Sequence, residues 1–165
     1  MQRQIDPDHS SLTIHVGKTG WLLPGAGHEH IVTALIAEGS IDDGRPSHIR
    51  FRVEAARLEV MPEEHQAEVQ QSTQARVLES SRFPLITFTS EQIQPAGDNT
   101  WHVSGNLQLH GESRLIHLSV RKLDGRYVGA TTIRQTDYGI QPIRAAGGAV
   151  RVKNELKIDF VIETR

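Results

Sequence analysis

Apolar and polar positions alternate along most of the chain, most plainly in its last segment. Val150, Val152, Leu156, Ile158, Phe160 and Ile162 share one parity, while Arg151, Lys153, Glu155, Lys157 and Asp159 take the other. A period of two marks a β-strand with one face on a core and one in water. At about 3.3 Å per residue the segment extends near 40 Å, which favours a curved, wrapping sheet. Leu12, Ile14 and Val16 alternate likewise. So do Trp101, Val103, Gly105, Leu107 and Leu109, with His102, Ser104, Asn106 and Gln108 turned to water. His30 to Ile41, His48 to Val60, Leu85 to Ile93, Leu115 to Leu123 and Tyr127 to Gln135 complete a predicted set of eight strands. Within His48 to Val60 the apolar parity passes from odd (Ile49, Phe51, Val53) to even (Leu58, Val60) across Ala55-Ala56, which predicts a bulge and a bend.

Turn chemistry separates the strands. Asp42-Asp43-Gly44-Arg45-Pro46, Pro95-Ala96-Gly97-Asp98-Asn99 and Asp124-Gly125 supply positive or preset φ and side-chain bonds to the backbone, and such short connections favour a meander. The stretch from Pro62 to Ser80 differs. Pro62 at a first helical position and Glu63-Glu64 in the first turn predict one helix. Its apolar set, Ala67, Val69, Ala75, Val77 and Leu78, is thin, which places it over a sheet edge or barrel mouth. Ala145-Ala146-Gly147-Gly148-Ala149 reads as a loop.

The expected architecture is therefore all-β: an extended antiparallel eight-stranded barrel with one flanking α-helix, formed by residues 1–165 as a single domain. Such a barrel is either filled by side chains or holds one small ligand. Gly105 and the run Gly129-Ala130-Thr131-Thr132 remove side-chain volume, which predicts an apolar void. The alternative is that Phe51, Phe88, Trp101 and Phe160 fill those gaps.

Composition narrows the function classes. The 165 residues carry 18 Lys+Arg and 20 Asp+Glu, a formal charge of −2, and no cysteine. A mixed, near-neutral surface gives no electrostatic reason for a nucleic-acid partner. A hydrophobic content of 37% builds a core and excludes disorder. The longest apolar-leaning run of the N-terminal third, Ile31 to Ala37, is far short of the roughly 20 residues that span a bilayer, so no transmembrane segment is expected. Met1 to Asp6 lacks a secretion signal, which gives the expectation of a cytoplasmic protein as written, or a periplasmic one had a signal been trimmed.

The one unusual count is nine histidines. Gly25-Ala26-Gly27-His28-Glu29-His30 begins like a dinucleotide fingerprint, but His30 replaces the third glycine and β-branched residues follow instead of a helix. His28 and His30 project from one side of a strand and form two ligands of an alternative reading, a metal-dependent enzyme or metal sensor. His15, His48, His102, His110 and His117 are free to complete such a site. There is no His-Glu-x-x-His, no Gly-x-Ser-x-Gly and no phosphate-cradling loop, and Glu63-Glu64 read as solvated residues of a first helical turn. No catalytic residue and no enzyme activity are expected. Arg50, Arg52, Arg57 and Lys18, interrupted by Glu54 and Glu59, form a mixed solvated face.

Five short segments, in order along the chain, carry a family resemblance: Ile5-Asp6 with His9-Ser10, Glu38-Gly39-Ser40-Ile41, Phe83-Pro84-Leu85-Ile86-Thr87-Phe88-Thr89-Ser90, Gly105-Asn106-Leu107-Gln108-Leu109-His110-Gly111, and Asp137-Tyr138-Gly139-Ile140. Together they resemble the YceI-like family, nearly end to end. The resemblance implies an extended lipocalin-like barrel and the binding of polyisoprenoid or quinone-type lipids. Where that family often has an Arg two residues before the Asp-aromatic-Gly, this chain has Gln135, with the charge displaced to Arg134.

The resulting expectation is an elongated apolar cavity that binds, and transports or stores, a long apolar lipid. Inward parity nominates Leu12, Ile14, Phe51, Val53, Phe88, Trp101, Val103, Gly105, Leu107, Leu109, Leu118, Val120, Ile158 and Phe160 as its lining, with Ser90 orienting a polar head group or else bonded to neighbouring backbone. No metal and no cofactor beyond a bound isoprenoid or quinone-like lipid are expected, and a homodimer is left open.

Overall fold

The computed structural model describes residues 1–20, 29–42, 47–62, 65–145 and 150–165. Its strands are β1 (Gln2–Gln4), β2 (Ser11–Gly20), β3 (His30–Leu35), β4 (Glu38–Asp42), β5 (His48–Glu54), β6 (Glu59–Val60), β7 (Leu85–Gly97), β8 (Thr100–Leu109), β9 (Glu112–Leu123), β10 (Arg126–Arg134), β11 (Arg144–Ala145) and β12 (Val150–Ile162). All pair antiparallel in one strongly curled sheet of order β1-β4-β5-β7-β8-β9-β10-β12-β2-β3-β6, with β11 on β12. The count is twelve where eight were expected. Two long strands are each broken by a bend, and two short edge strands, β1 and β11, join the sheet.

The bends are what curl the sheet round. Ile36 and Ala37 interrupt β3 and β4, yet their amides still donate, to Ser10 O at 3.1 Å and Arg52 O at 2.9 Å. Ala55–Arg57 forms a 3₁₀ turn between β5 and β6, at the site where the apolar parity changes. Beyond that turn β6 leaves the β4–β5–β7 side and pairs with β3, Val32 opposite Val60, so the circuit of pairing returns to its start. An unbent strand would have kept two open edges.

The predicted helix begins later than Pro62. Helix α1 spans Gln66–Ser72 and is followed by a π-helical turn over Thr73–Val77, with His65 ahead of it in the left-handed region. Glu63-Glu64 lie outside the described residues. Gln66, Gln70 and Gln74 recur every four residues and so share one helix face. The Gln70 amide accepts from Val60 N–H at 2.7 Å and donates to Leu58 O at 2.9 Å, Gln66 Nε2 donates to Val60 O at 2.8 Å, and Gln74 Nε2 donates to Ala55 O and Leu58 O. A bend strips backbone groups of their ladder partners, and these glutamines replace them. The same bonds pin the helix across one end of the barrel.

Candidate functional site: an apolar chamber under the helix

One half of the barrel is packed solid. A Cβ built on Gly105 would lie 2.6 Å from Cζ of Phe88 and 2.5 Å from Thr89 O, and one on Gly129 would lie 2.4 Å from Cζ of Phe160. Each glycine is therefore occupied by an aromatic ring from a neighbouring strand, and neither leaves the void expected of it. Phe51 stacks on Phe88 at 5.4 Å, which extends the plug across the barrel. On the far side Trp101 meets Tyr127 at 6.2 Å, and Trp101, Val103 and Val120 enclose only about 20 Å³ with Ile41, Ile49 and Tyr127.

The other half, beneath α1, holds a chamber of about 520 Å³. This is the size of a cavity that encloses a small organic ligand. Among the residues nominated by parity, Leu12, Ile14, Phe51, Phe88, Leu107, Leu109, Leu118, Ile158 and Phe160 line it. Val53, Trp101, Val103, Gly105, Val120 and Ser90 do not. Val53 is wholly buried in the core cluster. Ser90 Oγ accepts the Ile49 amide at 2.8 Å, the backbone alternative to a head-group contact. For Trp101, Val103 and Val120 the reason is that parity fixes which face of the sheet a residue occupies but says nothing of its height along the barrel axis.

Further lining residues went unrecognised in the sequence. Val16, Val152 and Leu156 lay in strands whose parity already pointed inward, one turn of the pleat nearer the mouth. Val69, Thr73 and Val77, at four-residue spacing, form the roof. A register shift in β12 between Val152 and Leu156 redirects the wall there. Gln135, which stands where the family often has Arg, lines the chamber and donates from Nε2 to Lys153 O at 2.8 Å. Thr136 and Asn154 exchange two further bonds beside it. The β9–β10 ladder stops at Ser119↔Ala130, and past it Thr131 Oγ1 donates to His117 O at 2.9 Å.

The mouth is polar. Lys18, His30, His65, Glu68, Arg76 and Arg144 border the chamber there. His30, one of the two proposed metal ligands, is thus part of this rim, while His28 lies outside the described residues. Among the described residues no cluster of three or more His, Asp or Glu could hold a metal ion.

The family-like segments brace this end. His110, itself in the left-handed region, donates from Nδ1 to Tyr138 O at 3.0 Å, and its Nε2 meets Glu79 Oε2 at 2.6 Å. Arg82 and then His110 hold the Glu79 carboxyl below the usual carboxylate range. Gly139 caps the Gln135–Tyr138 turn with φ 69°, and Ile140 follows onto the chamber wall. Burial pushes the Tyr138 phenol up to about 12, so it stays neutral. On the outer surface His15 bridges two carboxylates, Glu29 at 3.0 Å and Asp159 at 2.9 Å, and these, Glu29 foremost, raise its pKa above the usual histidine value.

The fold and this chamber define a class: a curled antiparallel β-barrel, plugged by aromatic rings at mid-height and roofed by a helix over an apolar interior. Within that class the chain belongs to the YceI-like domain family, whose model matches residues 4–164. Similar solved structures include BcnA of Burkholderia cenocepacia, with a TM-score of 0.67 at 17% identity over 96% of this chain and 98% of that one. A polyisoprenoid binding domain from Saccharophagus degradans, implicated in plant cell wall breakdown, gives 0.65 at 15% identity over 98% of both chains. The YceI protein of Campylobacter jejuni gives 0.56 at 15% identity over 77% of this chain and 80% of that one. Among curated proteins none matches. Among the described residues no helix is long and apolar enough to cross a membrane.

Proposed function

We propose that this protein binds the apolar tail of a lipid of the isoprenoid class in the chamber beneath α1, and carries or stores it. The chamber itself supports the reading: about 520 Å³ bounded by aliphatic and aromatic side chains, in a chain of the YceI-like family. A relative in fold is a polyisoprenoid binding domain. Each methylene withdrawn from water into such a space gains about 0.8 kcal/mol, so a long tail is held without any directional motif. No covalent step is involved. Native mass spectrometry of protein purified from its own host tests the reading. A non-covalent adduct that partitions into organic solvent is the expected result, and protein that stays bare after exposure to host lipid extract would overturn it.

A further inference from the structure

Among the described residues, the chamber's rim carries a charge pattern that the whole chain does not. Three fixed cations border it, Lys18 at the end of β2, Arg76 on the roofing segment and Arg144 on β11, against one carboxylate among the described residues, Glu68. Glu68 is already approached by His65 at 3.9 Å. Among the described residues none of the three cations makes an ion pair, although the chain as a whole is slightly acidic at −2. Elsewhere among the described residues some cations are paired, Arg57 with Glu54, Arg82 with Glu79 and Arg126 with Glu163, and others such as Arg50 and Arg121 are not, so the rim is distinguished by its gathering of cations round one apolar chamber.

The chamber is also short. Phe88 and Phe160, seated over Gly105 and Gly129, close it at mid-barrel. From Leu12 at that floor to Lys18 at the rim is six residues of β2, about 20 Å of strand.

From these two observations we propose that the occupant is a single-tailed anionic amphiphile, with a tail short enough for the roughly 20 Å between floor and rim and a carboxylate or phosphate head held among Lys18, Arg76 and Arg144. This rests on the reading given under Proposed function and narrows it. A fatty acid and a prenyl phosphate share that chemistry. A charged acceptor engaged by Arg or Lys makes bonds about twice as strong as neutral ones, and at the edge of a low-dielectric chamber the attraction is less screened than on open surface.

The test is calorimetric titration of lipid-stripped full chain with palmitate, geranylgeranyl phosphate, hexadecanol, docosanoate and an octaprenyl quinone. The expected result is that palmitate or the phosphate, or both, bind at least about tenfold tighter than hexadecanol, which is about 1.4 kcal/mol. Which of the two is tighter identifies the head group. That margin should shrink with added salt, and docosanoate should gain nothing over palmitate. Arg76→Gln with Arg144→Gln should weaken the anions at least about tenfold more than it weakens hexadecanol, a selective loss that a variant that merely unfolded would not show. If hexadecanol or the quinone binds as tightly as the anions, this inference falls while the lipid-binding reading stands. If no probe binds at all, both fall.

Discussion

The ring of Phe88 occupies the space a side chain at position 105 would need: Cζ lies 2.6 Å from where a Gly105 Cβ would stand. The two residues sit on neighbouring strands, with Phe88 opposite Leu107 and Ser90 opposite Gly105, so the ring leans along the sheet into the glycine's vacancy. This contact and its counterpart between Phe160 and Gly129 divide the barrel into a packed half and an open half. Gly105→Ala should destabilise the protein by about 1–3 kcal/mol, because Phe88 or the Thr89 carbonyl must move in a close-packed region. Thermal melts should show a loss of about 2–4 °C per kcal/mol. An unchanged melting temperature would show that the ring has somewhere else to go.

The two halves should answer differently to added volume. Ile14→Phe adds bulk on the chamber wall and should cost less than about 1 kcal/mol in the stripped protein, whereas Val103→Phe adds it to the packed half and should cost about 1–3 kcal/mol. Urea titration of both variants measures the difference. Equal costs would place free volume somewhere other than beneath α1.

Gln70 holds two backbone groups of the bent strand, Val60 N–H and Leu58 C=O. Gln70→Ala should leave both without their partner and cost about 1–3 kcal/mol. Faster hydrogen exchange at the Val60 amide is the specific sign. Were that amide's exchange unaffected, the helix would be held by something other than its glutamine face.

How much of this was written in the sequence depends on the kind of information asked for. The parity switch across Ala55-Ala56 located the bend that lets β6 leave β5's neighbours, because a buried face forces a period of two and a bulge must reset it. Parity likewise named nine of the chamber's lining residues, from Leu12 to Phe160. It misplaced Trp101, Val103 and Val120, which share the inward face but sit on the far side of the aromatic plug. In the sequence, glycine at positions 105 and 129 signals absent volume, yet absent volume is where a neighbouring ring goes. The glutamine row at 66, 70 and 74 was visible as spacing. Its purpose was not, because backbone groups needing partners appear only once the strand has bent. The cation rim drew Lys18, Arg76 and Arg144 from three distant segments, which no local pattern joins.

The His15 bridge makes stability depend on pH with a definite sign. Glu29 and Asp159 raise the folded-state pKa above the ordinary histidine value of 6.5. The protonated form is therefore favoured by folding, and its contribution is fully present below about pH 6.5 and lost as pH rises through the raised value. His15→Gln should lower the melting temperature more at pH 5.5 than at pH 9. Because the side chains are partly exposed, the difference should correspond to less than about 1 kcal/mol. A larger loss at pH 9 would contradict the sign.

A crystal structure of lipid-loaded protein bears most directly on where the apolar interior lies. Tail density should run among Leu12, Ile14, Leu118 and Ile158 beneath Val69 and stop against the rings of Phe88 and Phe160. Density that passes those rings toward Trp101, or a chamber collapsed with no tail in it, would contradict a binding site confined to the helix-covered half.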